Sequence, residues 1–282
     1  MYHVAMTQWI VGDEKLEDSC KRLNRFGYDG IEFAADPAAL DASECKRLMK
    51  KYQLDCRSLC GIFGETRDLT SDSWAGENAV QYIKDSVDFA NAVGAKVIIV
   101  VPSPVGRITP PDGMSRDDLW KNAVKNLREA GIYAGEHGVN MAIEAINRYE
   151  TFFVNKMEEA YALAEDVGLP SVGIMADLFH MSIEEASLSE SVTAYADRLL
   201  HVHVADSNRG PAGYGHTDFA AILRTLGRIG YQGSLTMEYM YRIADPYSVG
   251  EIHTKTALMD EYAEQAIRYI RTLDQSTKQE RV

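Results

Sequence analysis

Eight times along this chain a short run rich in Val, Ile and Ala is followed by a longer amphipathic stretch, and that alternation restricts the fold more than any other feature. Short β-branched runs at period two read as strands, and stretches with apolar residues three and four apart read as helices. Strands are expected near Val4–Gln8, Gly30–Phe33, Leu54–Gly61, Lys96–Val101, Asn140–Ile146, Val172–Asp177, Leu200–Ala205 and Ser234–Tyr239. Helices are expected near Lys15–Phe26, Ser43–Tyr52, Glu77–Val93, Arg116–Glu136, Met157–Asp166, Ile183–Tyr195, Asp218–Ile229 and Lys255–Leu273. Strands joined by crossover helices pair in parallel, and eight such units within 282 residues fit an α/β fold, a closed (β/α)8 TIM barrel forming a single domain over 1–282. A polar tail is expected over about 274–282, with Gln275–Val282 frayed. An open doubly wound sheet is the alternative, but no GxGxxG follows the first strand, so no dinucleotide site is expected. Two long loops, Ser103–Ser115 and Met240–Thr254, would emerge on the C-terminal face of the barrel, where such folds build their sites.

Composition narrows the partners. The net charge of -13 and pI near 5.0, with no local Lys/Arg cluster, would repel a polyanion, so nucleic acid is not an expected partner. No apolar run is long enough to span a bilayer, and no membrane partner is expected. The opening Met1-Tyr2-His3-Val4-Ala5-Met6 enters the first strand without a basic segment and apolar h-region, so a cytoplasmic address is expected. Cys20, Cys45, Cys56 and Cys60 form no CxxC pair and read as buried free thiols.

Four metal-competent side chains fall at the C-terminal ends of four successive expected strands: Glu144, Asp177, His203 and Glu238. Residues two apart on a strand share a face. Asn140, Ala142 and Glu144 therefore oppose Met141 and Ile143, while Ser234, Thr236 and Glu238 oppose Leu235 and Met237. His201 and His203 share one face, with His203 nearer the mouth. A lone strand-end acid is usually solvated, but four ligands in register form a cluster of negative charge that is costly without a cation. Three carboxylates and one imidazole make a hard donor set that favours Mn²⁺, with Mg²⁺ or Co²⁺ as alternatives. Glu150, in the loop after the fifth strand, gains interest only from its place near the mouth. His180 reads either as a site residue or as a helix residue beside a Ser182-x-x-Glu185 capping box. Arg209 could meet substrate oxygens or pair with Asp206. Cys60 could line the pocket or be a buried structural thiol. His137 reads as a helix end, and His3, His216 and His253 carry no comparable pattern.

At these residues the sequence resembles the xylose isomerase-like barrel superfamily, and within it the ketose 3-epimerases (D-tagatose and D-allulose 3-epimerases) and the keto-hexonate epimerases. The matching segments are Ile143-Glu144-Ala145-Ile146-Asn147-Arg148-Tyr149-Glu150, the run Val172 to Glu185, His201-Val202-His203-Val204-Ala205-Asp206-Ser207-Asn208-Arg209, and Met237-Glu238. The resemblance implies a Mn²⁺-type site of Glu144, Asp177, His203 and Glu238, with Glu144 and Glu238 also acting as acid and base. It implies substrate contacts from Glu150, His180 and Arg209. The chain departs from the ketohexose epimerases in Pro102–Pro111 and in the segment after Glu238, both placed to shape specificity.

The expected activity is thus metal-dependent epimerisation of a small non-phosphorylated keto-sugar, by proton abstraction beside the ketone through an enediolate. The same donors would serve an aldose–ketose isomerase, or the catalytic subunit of a C-glycoside deglycosidase working with a small second subunit. The endonuclease IV branch is disfavoured by the acidic surface and by too few ligand histidines. A homo-oligomer is expected.

Overall fold

Every one of the eight apolar runs forms a strand, and pairing of the last with the first closes the sheet. The structure is a computed structural model that describes residues 1–240 and 256–279, with side chains described up to residue 277. The strands are β1 (His3–Thr7), β2 (Gly30–Ala34), β3 (Ser58–Cys60), β4 (Val97–Val100), β5 (Asn140–Ile143), β6 (Val172–Asp177), β7 (Leu199–Val204) and β8 (Ser234–Met237), each parallel to its neighbours. Around them lie α1 (Leu16–Phe26), α2 (Ala42–Tyr52), α3 (Trp74–Val93), α4 (Arg116–Glu136), α5 (Met157–Val167), α6 (Leu178–Glu184), α7 (Leu188–Ala194), α8 (Phe219–Arg228) and α9 (Thr256–Gln279). This is the expected (β/α)8 TIM barrel. None of the described helices is long and apolar enough to cross a membrane.

The period-two pattern decides where the core sits. Met141, Ile143, Leu235 and Met237 join the large apolar layer between sheet and helices. Their strand neighbours turn inward, where only a small apolar cluster forms, from Cys60, Ile99, Ala142 and Met175. At about 1.5–3 kcal/mol for each large side chain buried, the outer layer supplies most of the apolar stabilisation and leaves the interior free for polar groups. All four cysteines are buried free thiols.

Three expectations are corrected. The helix placed at Ile183–Tyr195 is two helices, α6 and α7, because Glu185 adopts an extended backbone between them (ψ 139). Ser182-x-x-Glu185 is not a cap either. Ser182 Oγ donates back to Phe179 O at 2.7 Å, and the Glu185 carboxylate accepts from Met157 N and Ser191 Oγ. The caps are Asp177 for α6 and Ser187 for α7. Finally, the polar end is helical as far as Gln279: Asp274 accepts the Tyr2 amide at 2.8 Å, and Thr277 is buried, so this turn docks on β1 rather than fraying. Residues 280–282, His253 and nearly all of the expected Met240–Thr254 loop lie outside the described residues, as does the expected helix start at Lys255.

Candidate metal centre

Alternation along four adjacent strands delivers four metal-competent side chains to one point at the barrel mouth. Asp177 ends β6 and His203 lies near the end of β7, while Glu144 and Glu238 follow directly on β5 and β8. One donor atom from each of the four lies within 4.8 Å of the others, and all four residues are buried. His203 Nδ1 is 3.2 Å from Glu238 Oε1 and 3.7 Å from Asp177 Oδ2. The other oxygen of Asp177 accepts the His180 amide at 2.8 Å.

The charges in this cluster act strongly on one another. Burial and then the Glu238 charge push the Glu144 carboxyl well above the usual carboxylate range, against the pull of His203. Burial opposes charge on Asp177 too, but His180 and His203 hold its carboxyl below the ordinary value. For His203, burial works against protonation and is outweighed by Glu238 and Glu32, which raise its proton affinity well above normal. Asp177 Oδ2 and His203 Nδ1 are buried without a hydrogen bond. Three carboxylates and an imidazole converging in a dry site, with two donor atoms unsatisfied, fit a hard divalent cation.

A cavity of about 240 Å³ opens beside these residues. Its polar lining comes from Glu144, Glu150, His180, Arg209 and Glu238, and its apolar lining from Trp9, Phe63, Val101, Val105 and Ile146; Cys60 also lines it. Val105 brings the Pro/Gly-rich Ser103–Ser115 segment to the mouth, as expected. The Cys60 thiol is buried, which pushes its pKa well up, so it meets the cavity as a neutral group. His180 is the third residue of α6 and also lines the cavity. Burial lowers its pKa, and its Nδ1 lies 2.7 Å from Asn147 Nδ2. Because an amide NH₂ only donates, the proton of the neutral ring sits on Nε2.

Arg209 pairs with Glu150, not Asp206: its Nη1 lies 3.0 and 3.1 Å from the two Glu150 oxygens, and its guanidinium stacks on Phe179. Asp206 is occupied by the backbone amides of Ser207, Gly213 and Thr217, which tie down the loop carrying Arg209. Within that loop Arg209 takes a left-handed backbone (φ 59), which a non-glycine residue adopts only when its surroundings hold it there. His3, His137 and His216 do not line the cavity; His137 ends α4. A larger cavity, about 640 Å³, is lined by His3, Asp55 and Arg57. There His3 bridges Ser234 Oγ and Asp55, each at 2.7 Å, and the clusters of metal-competent side chains among the described residues lie elsewhere.

Sequence reasoning missed Trp9, whose indole N–H donates to Glu238 Oε1 at 2.9 Å, and Glu32, which meets His203 from below. The signal for Glu32 was present. An acid between Ile31 and Phe33 on a strand buried on both faces must point into the barrel.

A sequence model of the xylose isomerase-like TIM barrel family matches residues 20–273. The L-ribulose 3-epimerase of Methylomonas sp. (strain DH-1) is 32% identical over 225 residues, which is 79% of this chain and 78% of that protein. The 3-dehydro-D-guloside 4-epimerase of Escherichia coli (strain K12) is 29% identical over 245 residues, 83% of this chain and 90% of its own. A crystal structure of D-allulose 3-epimerase from Methylomonas sp. in complex with D-allulose superposes with a TM-score of 0.84 at 27% identity, covering 96% of each chain.

Proposed function

The chain belongs to the xylose isomerase-like TIM barrel family, and from that membership and its sugar-epimerase relatives we propose that it is a metal-dependent epimerase of a small non-phosphorylated keto-sugar. The observation that carries this reading is the pair of buried glutamates, Glu144 and Glu238, at the two ends of the β5-β6-β7-β8 arc and facing one cavity. Glu144, Asp177, His203 and Glu238 would hold one divalent metal, Mn²⁺ first by donor type, with Mg²⁺ and Co²⁺ as the alternatives. When bound, the metal polarises the ketone and the neighbouring hydroxyl and so acidifies the C–H between them.

The remaining work falls to the chain's own residues. Inverting a carbon requires a proton acceptor on one face and a donor on the other, and Glu144 and Glu238 take these roles. Burial already favours a proton on Glu144. His180 Nε2–H and the Arg209–Glu150 pair are placed to hold substrate hydroxyls, with Cys60 beside them. Among the described residues lining the cavity Arg209 is the one Lys or Arg, and Glu150 partners it, so nothing there is set aside for a phosphate. The apolar lining side chains would cover the reacting carbon of a bound sugar.

The test is turnover in D₂O, followed by NMR, on free ketopentoses and ketohexoses, their phosphates, keto-glycosides and aldoses, with chelated and Mn²⁺-reloaded protein. Deuterium at the keto-adjacent carbon of a free ketose, lost on chelation and restored by Mn²⁺, is the expected result. Full activity in metal-free protein refutes the metal. A much higher kcat/KM for a phosphorylated sugar refutes the substrate class, and turnover of keto-glycosides by bond cleavage alone refutes epimerisation.

A further inference from the structure

Beneath the proposed ligands the barrel interior holds another buried carboxylate, one with no part in the chemistry above. Glu32 is fully buried on β2, sent inward because Ile31 and Phe33 on either side of it belong to the outer core. Its Oε1 lies 3.0 Å from His203 Nε2 and its Oε2 lies 3.0 Å from His201 Nε2, while Ser58 Oγ donates to Oε2 at 2.5 Å. A carboxylate in a dry interior is costly unless donors hold it, and here donors on β3 and β7 converge on both oxygens. The opposite edge of the His203 ring presents Nδ1 to Glu238 and Asp177, with no hydrogen bond of its own.

A neutral imidazole has one protonated nitrogen and one lone pair, and the partner of the first decides where the second points. We infer that Glu32 is a positioning residue for the metal centre: by accepting from His203 Nε2–H it fixes the tautomer and ring orientation that aim the Nδ1 lone pair at Glu144, Asp177 and Glu238. This rests on the ligand set proposed above. Ser58 completes the device by holding the carboxylate in place; His201 Nε2 lies beside the same oxygen without a hydrogen bond, its ring nearly perpendicular to that of His203, at 78° and 5.1 Å between centroids. If Glu32 served only to fill the barrel with polar contacts, the His203 tautomer would be indifferent to its removal.

The experiment compares wild type, Glu32→Gln and Glu32→Leu in two measurements: long-range ¹H–¹⁵N spectra of His203 in protein saturated with diamagnetic Mg²⁺, where the cation replaces the second ring proton, and calorimetric titration with Mn²⁺, Mg²⁺ and Co²⁺. Wild type should show the Nε2–H tautomer. Glu32→Leu should show mixed tautomers and bind metal about 10- to 100-fold more weakly, the usual cost of losing such a partner. Glu32→Gln, a weaker acceptor of the same size, should fall between the two. A folded Glu32→Leu protein with wild-type affinity and an unchanged tautomer overturns the inference alone. If the Leu variant does not fold, wild-type values in Glu32→Gln overturn it. Wild-type protein that binds none of the three metals overturns the metal reading and this inference together.

Discussion

Replacing Glu238 by Gln separates proton transfer from metal binding, because Trp9 dictates which way the new amide faces. The Trp9 indole N–H lies 2.9 Å from Glu238 Oε1 and can only donate. In the variant the amide oxygen must therefore take the Oε1 position, and the NH₂ must take the Oε2 position. Oε1 is also the oxygen 3.2 Å from His203 Nδ1, so an oxygen stays beside that ring while the oxygen proposed to accept the proton, Oε2, is gone. Loss of a positioned acid or base costs about 10²- to 10⁴-fold in rate, or roughly 2.7–5.4 kcal/mol in the barrier. Metal content at saturating Mn²⁺ should stay near one per chain. The assay measures epimerisation, solvent deuterium exchange and metal content on the same preparation. Near-native epimerisation with full metal would show that Glu238 is not a proton-transfer group. Loss of metal in Glu238→Gln, restored in a Trp9→Phe/Glu238→Gln double variant, would show that Trp9 does hold the amide oxygen at the Oε1 position but that the metal needs an oxygen at the Oε2 position.

Three further outcomes follow from packing and charge. Phe153, fully buried against Trp120, should cost about 3–5 kcal/mol as Phe153→Ala in urea unfolding, and a loss below about 1 kcal/mol would contradict the packing. Asp206→Ala releases the amides of Ser207, Gly213 and Thr217, so the Arg209 loop should loosen; steady-state kinetics should show KM rising several-fold more than kcat falls, and equal changes in both would count against that role. The Arg148 guanidinium hydrogen-bonds Glu184 and, against burial, holds its carboxyl below its ordinary value of 4.5. A depressed folded pKa contributes stability that is complete above the unfolded value and is lost as pH falls through the folded one. Unfolding free energies measured from neutral pH downward should thus fall less steeply below about pH 4.5 in Glu184→Gln, and identical slopes would refute the linkage.

Most of the barrel was readable because each strand states its own inside and outside. Met141 and Ile143 against Asn140, Ala142 and Glu144 is a local pattern, and it fixed both the strand and the direction of its terminal acid. What local pattern could not reach depended on partners far along the chain. Glu32 makes sense only beside His203, 171 positions away, and Trp9 only beside Glu238, 229 away. The break between α6 and α7 was hidden for a different reason. Glu185 is a good helix former, yet here it is extended while its carboxylate accepts from Met157 N and Ser191 Oγ. The polar end of α9 misled in the same way, since composition suggests fraying while Asp274 accepts the Tyr2 amide at the foot of the barrel and Thr277 is buried.

Asp177 divides its two oxygens between tasks, one closing the first turn of α6 at the His180 amide and the other facing the ligand cluster. That makes the His180 N–H a reporter. A cation that pins the outer oxygen also stills the inner one, so amide hydrogen exchange at the start of α6 should slow as the centre fills. Occupancy could then be followed in protein that has never met substrate, from a backbone position that is not itself a ligand.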